Sequence, residues 1–368
     1  MKKNSFDKYL FFTALILLVF GILFLSGVSA IFSQQETGKS SYYFFHQIIW
    51  GIIPGAILGF IFFKINLGIL KKGSFLIVLA GIFLMVLVFI PGLGIISGGA
   101  PRWLNMGGLI SFQPSEFLKL FFIFYLSALL EKYTDKKTKN WSSVLIAFLI
   151  IIGVVSLLLV LQSDVSTLGI IAVTGIIMYF SASTPVWHSL LIILISVGSF
   201  FVFIITSPYR LKRFQVLLGI IKDPMGLGYQ IKQILITVGS GGVFGIGLGG
   251  SSQKFGFVPQ TMSDSIFAII AEETGFVGSA VLIILFLFFL WRGFVISKKA
   301  KDGFLQLLAV GITSWISIQA LVNIGAMIRI LPLTGIPLPF ISYGGSHLLV
   351  ELAAVGILLN ISRSDKIK

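Results

Sequence analysis

The sequence contains no cysteine. Disulfides, thiolate metal sites and thiol nucleophiles are therefore excluded. Histidine is nearly as scarce. His46, His188 and His347 are the only three, too dispersed along the chain to suggest a metal site. Charge is also sparse, at 11% of residues, where a soluble domain carries about 25%. No soluble domain, long linker or low-complexity tail can be picked out. The net charge of +14 raises the question of nucleic acid. The basic residues are scattered over many short loops, however, and a nucleic-acid footprint would be one clustered face.

What is abundant is apolar. Hydrophobic residues make up 57% of the chain. Runs near twenty residues long recur throughout, each able to span a hydrocarbon core of about 30 Å. The pattern predicts an all-α polytopic membrane protein with about ten spans: 9–32, 43–63, 74–96, 114–130, 142–161, 166–182, 186–206, 265–290, 303–328 and 344–361. Met1-Lys2-Lys3 followed by an apolar run looks like a signal peptide. Tyr9 to Phe32 exceeds the usual signal core of ~7–15 residues, so it reads as a first, uncleaved span. The chain reads as a single membrane domain over 1–368.

Lys and Arg set the orientation. With the N-terminus inside, inner segments collect Lys2, Lys3 and Lys8, Lys64, Lys71 and Lys72, Lys132, Lys136, Lys137 and Lys139, Arg292, Lys298, Lys299 and Lys301, and Arg363, Lys366 and Lys368. The short outer loops hold only Lys39, Arg102 and Arg329. That asymmetry places both termini in the cytoplasm. One long loop, 207–263, lies outside on this reading, although it carries Arg210, Lys212, Arg213, Lys222, Lys232 and Lys254. Long loops translocate despite such charge. Gln230 to Val238 is apolar enough for an interfacial amphipathic helix, so the loop is expected to be folded. The plainer reading of its basic residues is contact with anionic headgroups.

With thirteen acidic residues, each can be weighed. Asp7, Glu131, Asp135, Asp302 and Asp365 read as solvated charges of inner segments. Glu36, Glu116, Asp164, Asp223, Asp264, Glu272, Glu273 and Glu351 remain. An ionisable group in mid-membrane costs at least ~2.5 kcal/mol, so a partner or a function is expected. Glu116 and Lys119 are three apart on the fourth span and share a helix face. They are either a neutralising ion pair that fixes packing or a polar wall of a substrate cavity. Asp264 precedes the eighth span and is either its cap or a general base. Asp164, at the start of the sixth span, reads as a cap. The glycine-rich stretch 239–250 lacks the βαβ context of a nucleotide-binding loop. Gly51, Gly55 and Gly59, four apart, suit close helix packing.

Several blocks resemble the SEDS family of shape, elongation, division and sporulation proteins (FtsW, RodA and SpoVE). They are Gly98-Gly99-Ala100-Pro101-Arg102-Trp103-Leu104 and Gln113-Pro114-Ser115-Glu116-Phe117-Leu118-Lys119, then Tyr209-Arg210-Leu211-Lys212-Arg213. Next come Gly228-Tyr229-Gln230, Gln253-Lys254 and Ala271-Glu272-Glu273-Thr274-Gly275, and last Pro337-Leu338-Pro339-Phe340-Ile341-Ser342-Tyr343-Gly344-Gly345-Ser346. They run in family order over nearly the whole chain. The resemblance implies a ten-helix fold and peptidoglycan glycosyltransferase activity on lipid II. The implied partners are the nascent glycan strand, membrane lipid, division proteins and a class B penicillin-binding protein that crosslinks the new strand. Gly98-Gly99-Ala100-Pro101-Arg102-Trp103 and Gly250-Ser251-Ser252-Gln253-Lys254 look more like the division and sporulation members than the elongation member, and a role in septal synthesis during division is expected.

The family's essential acid sits in a His-Thr-Asp-Phe-like setting. Its place here is Asp264, with Met262 and Ser263 where His and Thr are usual. The family's Gln-Pro-Asp is Gln162-Ser163-Asp164. On this resemblance Asp264 is the catalytic residue, and Glu116 and Lys119 belong to the substrate site. Arg102, Arg210, Lys212 and Arg213 are candidates for stabilising a departing pyrophosphate, with a divalent cation such as Mg2+ or Mn2+ as a further source of charge. The rival readings are a lipid II flippase or other transporter, which also needs intramembrane charge, and a noncatalytic scaffold.

Overall fold

A computed structural model describes residues 6–97, 99–106, 110–134, 141–182, 184–206, 208–221, 223, 226–255 and 258–364. Gly98, Lys2, Lys3, Asp135, Lys136, Lys137, Lys139, Lys222, Asp365, Lys366 and Lys368 lie outside the described residues.

The chain is a helical membrane bundle. Its long helices are α1 (Lys8–Thr37), α2 (Tyr42–Lys64), α3 (Leu67–Leu87), α4 (Pro114–Thr134), α5 (Trp141–Leu161), α6 (Val165–Ser181) and α7 (Val186–Ile205), followed by α10 (Ile266–Lys298), α11 (Gly303–Met327) and α12 (Gly345–Ser364). Seven are long and apolar enough to cross a membrane. α6 and the Val186–Ser199 stretch of α7 are apolar but shorter. α4 is as long as α3 but carries Glu116, Lys119 and Glu131. Together they match the ten spans read from the sequence.

Polar residues set the helix ends. Asp7 caps α1 by accepting the Leu10 N–H at 2.9 Å. Asp302 caps α11 through Leu305 at 2.8 Å. Asp164 caps α6 through Thr167 at 3.2 Å, as expected from the sequence. Each cap satisfies an amide that the first turn leaves unpaired.

The third span is displaced from its expected place. α3 begins at Leu67, where Asn66 accepts the Gly68 N–H at 2.9 Å, and ends at Leu87. Residues 94–96, expected at its end, instead belong to the first strand of a small antiparallel sheet of order β1-β2-β3: Gly94–Ser97, Ala100–Met106 and Ile110–Phe112. The apolar run alone did not separate a strand from a helix tail.

Most of α11 and of α12 is enclosed by the other helices. α12 packs along α2, where the predicted glycine series works as expected. A Cβ on Gly55 would stand 3.1 Å from the Leu349 Cα. Side chains there would push the helices apart.

Residues 207–263 are folded. They contain α8 (Pro208–Leu217), α9 (Leu227–Ser240) and a short 3-10 turn, Gln253–Phe255. The glycine-rich stretch then repairs a break in α10. Gly275 has φ 68°, which interrupts the helix. The Phe276 and Val277 amides donate to the Gly242 and Val243 carbonyls at 2.9 and 3.1 Å, and Ile246 and Gly247 donate to Glu272 and Glu273, both at 3.1 Å. Within a membrane-spanning helix, unpaired backbone groups cost several kcal/mol, so a break needs such a substitute. Lys254 and Glu273, 3.3 Å apart and both buried, pin the stretch to α10.

Two ends of the bundle can be told apart. At one, Asp7 pairs with Arg292, Lys71 pairs with Glu131 at 2.6 Å, and Asn360 binds the Phe62 and Ile65 carbonyls. At the other lie Asp264, the 331–344 segment, the α5–α6 corner and α8.

Candidate functional site

Asp264 stands at the mouth of α10 but does not cap it. The N-cap position is Ser265, and no side chain makes the capping bond there. The half-buried Asp264 carboxylate instead accepts the Ser263 hydroxyl at 3.0 Å. Its backbone is fixed from the neighbouring segment. The Asn323 amide of α11 donates to the Asp264 carbonyl at 2.8 Å and to the Ile336 carbonyl at 2.7 Å. The Tyr343 N–H donates to the Met262 carbonyl at 2.8 Å, and the Ser342 hydroxyl donates to the Ser263 carbonyl.

Facing the carboxylate is Gly335, with φ 68°. A Cβ there would stand 3.8 Å from Asp264 Oδ2, so bare backbone borders the acid. Burial pushes the Asp264 carboxyl above the ordinary carboxylate range, and the Ser263 hydrogen bond and the Arg213 charge pull it partly back. Such a group at a hydrogen-bond-accessible place can accept a proton from a bound hydroxyl.

The four predicted cations have different surroundings. Arg213 is anchored by an Nη1 hydrogen bond to the Leu333 carbonyl at 2.7 Å, on the same segment that borders Asp264. Lys212 is paired with Asp223 at 3.0 Å, and that pairing holds the Asp223 carboxyl below its ordinary range. Arg210 shares α8 with them. Arg102 spends Nε and Nη2 on the Gln162 and Ser163 carbonyls, each at 3.0 Å. Ser163 has φ 53°, so Arg102 holds a left-handed corner between α5 and α6. That corner meets the same segment where the Ser166 hydroxyl donates to the Thr334 carbonyl at 2.8 Å.

Glu116 and Lys119 form a buried ion pair of 2.9 Å. They also open a network that the sequence did not reveal. Lys119 Nζ donates to Gln319 Oε1 at 2.8 Å and lies 5.1 Å from the Trp315 ring centre. The Gln319 amide donates to the Pro337 carbonyl at 3.1 Å and to the Glu351 carboxylate at 3.3 Å. Glu351 in turn accepts the Phe340 N–H at 2.8 Å. Phe340 has φ 63°, a strained value for a bulky residue. The intramembrane charges thus terminate on the segment that fixes the Asp264 backbone. Gln319 and Asn323 gave no signal in the sequence, being amides inside an apolar run. Glu351 was visible as an intramembrane acid without a partner. Among the described residues no three His, Asp or Glu side chains converge as metal ligands. The described side chains thus offer no ligand set for a resident metal.

The sequence profile of the FtsW/RodA/SpoVE family, described as "Cell cycle protein", matches residues 7–367. Stage V sporulation protein E of Bacillus subtilis is 39% identical, over 99% of both chains. The probable peptidoglycan glycosyltransferase FtsW of Coxiella burnetii is 34% identical, over 97% of this chain and 96% of that one. A structure described as "structural coordination of polymerization and crosslinking by a peptidoglycan synthase complex" superposes with TM-score 0.80 at 26% identity, over 99% of each chain. The rod shape determining protein RodA of Thermus thermophilus shares the fold, with TM-score 0.72 at 23% identity over 99% of each chain. A match from end to end, in sequence and in fold, shows that this multi-pass membrane protein belongs to the FtsW/RodA/SpoVE family.

Proposed function

We propose that this protein is a peptidoglycan glycosyltransferase that polymerises lipid II at the outer face of the cytoplasmic membrane, serving the septum in cell division. The observation that carries the mechanism is the Asp264 carboxylate, held beside bare backbone at Gly335 with the Arg213 charge acting on it.

The donor is a glycan strand on undecaprenyl pyrophosphate, and the acceptor is the 4-hydroxyl of a lipid II sugar. The bond from the donor's anomeric carbon to the pyrophosphate oxygen breaks as a bond from that carbon to the acceptor oxygen forms. The acceptor proton passes to Asp264, which activates a poor nucleophile. Pyrophosphate leaves as an anion on its lipid. Arg213, with Arg210 and Lys212 on the same helix, supplies positive charge where negative charge develops. Lys212 would exchange Asp223 for phosphate. Arg102 supports the site by holding the α5–α6 corner, and Glu116 and Lys119 brace it from within the membrane. A divalent cation, if used, would be carried by the substrate's own phosphates.

A class B penicillin-binding protein is the partner that this reading supplies with strands, alongside other division proteins. The likeness to a sporulation protein favours a second reading, a septum built during sporulation. Purified protein incubated with lipid II, with and without a cognate penicillin-binding protein, is the test. Glycan chains are expected. Lipid II moved across a vesicle but left unpolymerised under both conditions would establish a transporter instead.

A further inference from the structure

At the end of the bundle where Asp7 meets Arg292, helices α1, α2 and α12 leave an apolar cleft of about 360 Å3. Phe11 and Leu15 of α1, Phe60 and Phe63 of α2, and Val355 and Leu359 of α12 line it. The cleft exists because side chains are missing at its base. Gly59 and Gly356 meet there, and a Cβ on Gly356 would collide with the Gly59 backbone. α2 and α12 therefore touch while their larger neighbours stand as walls. Phe60 and Leu15 are exposed, so the cleft opens sideways, toward what surrounds the spans.

The mouth is positively charged. Lys64 Nζ lies 5.5 and 5.6 Å from the ring centres of Phe60 and Phe63, and the Arg363 guanidinium lies 5.4 Å from the Phe63 ring. Both cations thus stand directly over the cleft's own walls. Neither forms an ion pair among the described residues. The nearby acid Asp7 is engaged by Arg292. A hydrocarbon slot under two cations that no described acid pairs matches a ligand with an alkyl chain and an anionic head.

We propose that this cleft binds an acyl chain of an anionic glycerophospholipid, with the headgroup phosphate on Lys64 and Arg363. The site is separate from the Asp264 site. The 262–264 backbone meets Tyr343, just before α12 begins, whereas the cleft follows α12 from Leu352 onward. A zwitterionic lipid would fill the same slot but gain little from the cations, because its ammonium opposes them. An occupant here also bears on α12 next to Glu351, since Leu352 is part of the wall.

The test uses full-length protein in phosphatidylcholine vesicles with one of two photoreactive probes, a diazirine-tailed phosphatidylglycerol or its phosphatidylcholine counterpart. Labelled residues are mapped by mass spectrometry. The glycerol probe is expected to label 11–18 and 60–63 preferentially, and unlabelled phosphatidylglycerol should compete it away. The preference should fall about fivefold for each cation removed in Lys64→Gln and Arg363→Gln. Lys299→Gln, an exposed cation at the same end of the bundle, should leave it unchanged. Filling the cleft with Ala56→Phe should reduce labelling of 11–18 by either probe. Equal labelling by both probes would reduce the cleft to ordinary bilayer contact and overturn the proposal. So would an equal loss with Lys299→Gln, which indicates diffuse charge. Labelling by neither probe overturns it too, since a second copy or a partner helix then covers the groove.

Discussion

The Glu351 carboxylate accepts the backbone N–H of Phe340 at 2.8 Å and so holds a bulky residue at φ 63°. Two residues further on, Ser342 binds the Ser263 carbonyl beside Asp264. Removing the carboxylate in Glu351→Ala leaves a buried N–H without its acceptor, at a cost of about 1–3 kcal/mol. The segment should relax and misplace the Asp264 backbone. Small misplacements of reacting groups cost up to about 100-fold in rate. Initial polymerisation rates should therefore show kcat falling at least about tenfold, with KM for lipid II little changed. Glu351→Gln keeps an acceptor for Phe340 and should recover much of the loss. Equal kcat in all three proteins would remove Glu351 from any positioning role.

The sequence carried the bundle well and the brace poorly, for physical reasons. Ten spans are legible because crossing a bilayer requires long apolar runs. The Gly51–Gly59 series and the Asp164 cap follow from local rules that the structure obeys. The sheet at 94–112 was hidden because Gly94-Ile95-Ile96 continues an apolar run. Gln319, Asn323 and Glu351 acquire their meaning only when distant segments meet, and nothing in their local spacing marks that. Asp264 had two local readings. The placement of Ser265 at the cap position speaks against the first, the cap, and leaves the second to experiment.

The Glu116–Lys119 pair, 2.9 Å apart and buried, should be unforgiving of single changes. Glu116→Ala or Lys119→Ala leaves one charge uncompensated, typically costing about 3–5 kcal/mol. Replacing both at once should cost less than the two single effects added together. Thermal unfolding in detergent and polymer yield measure the two consequences. Strict additivity in both would mean that the pair is not coupled.

Burial raises the proton affinity of Asp264, and the Arg213 charge lowers it. In the proposed mechanism the carboxylate is the active form, so the rate should fall as pH drops through a midpoint above the ordinary value of about 3.9. The sign for stability is opposite. Protonated Asp264 suits its surroundings better, so its contribution weakens as pH rises through the elevated value. Arg213→Gln removes a charge that favours the carboxylate and should move the acidic limb of the rate profile to higher pH. A limb that stays in place, or moves down, would separate Arg213 from Asp264.

Topology can be checked cleanly because the chain has no native cysteine. Lys222→Cys should react with an impermeant maleimide in intact cells, as expected if 207–263 faces outward. Labelling that requires permeabilised membranes would reverse the orientation and place Asp264 on the cytoplasmic side.

Asp264→Asn is the sharpest test of catalysis. The substitution keeps the side chain's size and its oxygen acceptor for Ser263, and the backbone bonds from Asn323 and Tyr343 do not depend on the carboxylate. The variant should reach the membrane at normal levels and retain its partner. A neutral amide does not take a proton at working pH, and general-base contributions are typically about 100- to 10,000-fold in rate. Chain formation by the purified variant should fall within that range, with lipid II binding preserved. Helix capping would predict near-normal activity instead, because Asn and Asp cap about equally well. In the structure Ser265 rather than Asp264 occupies the cap position. Wild-type polymer yield from Asp264→Asn would remove the general base from the proposed mechanism and leave only the leaving-group role of Arg213 and its neighbours.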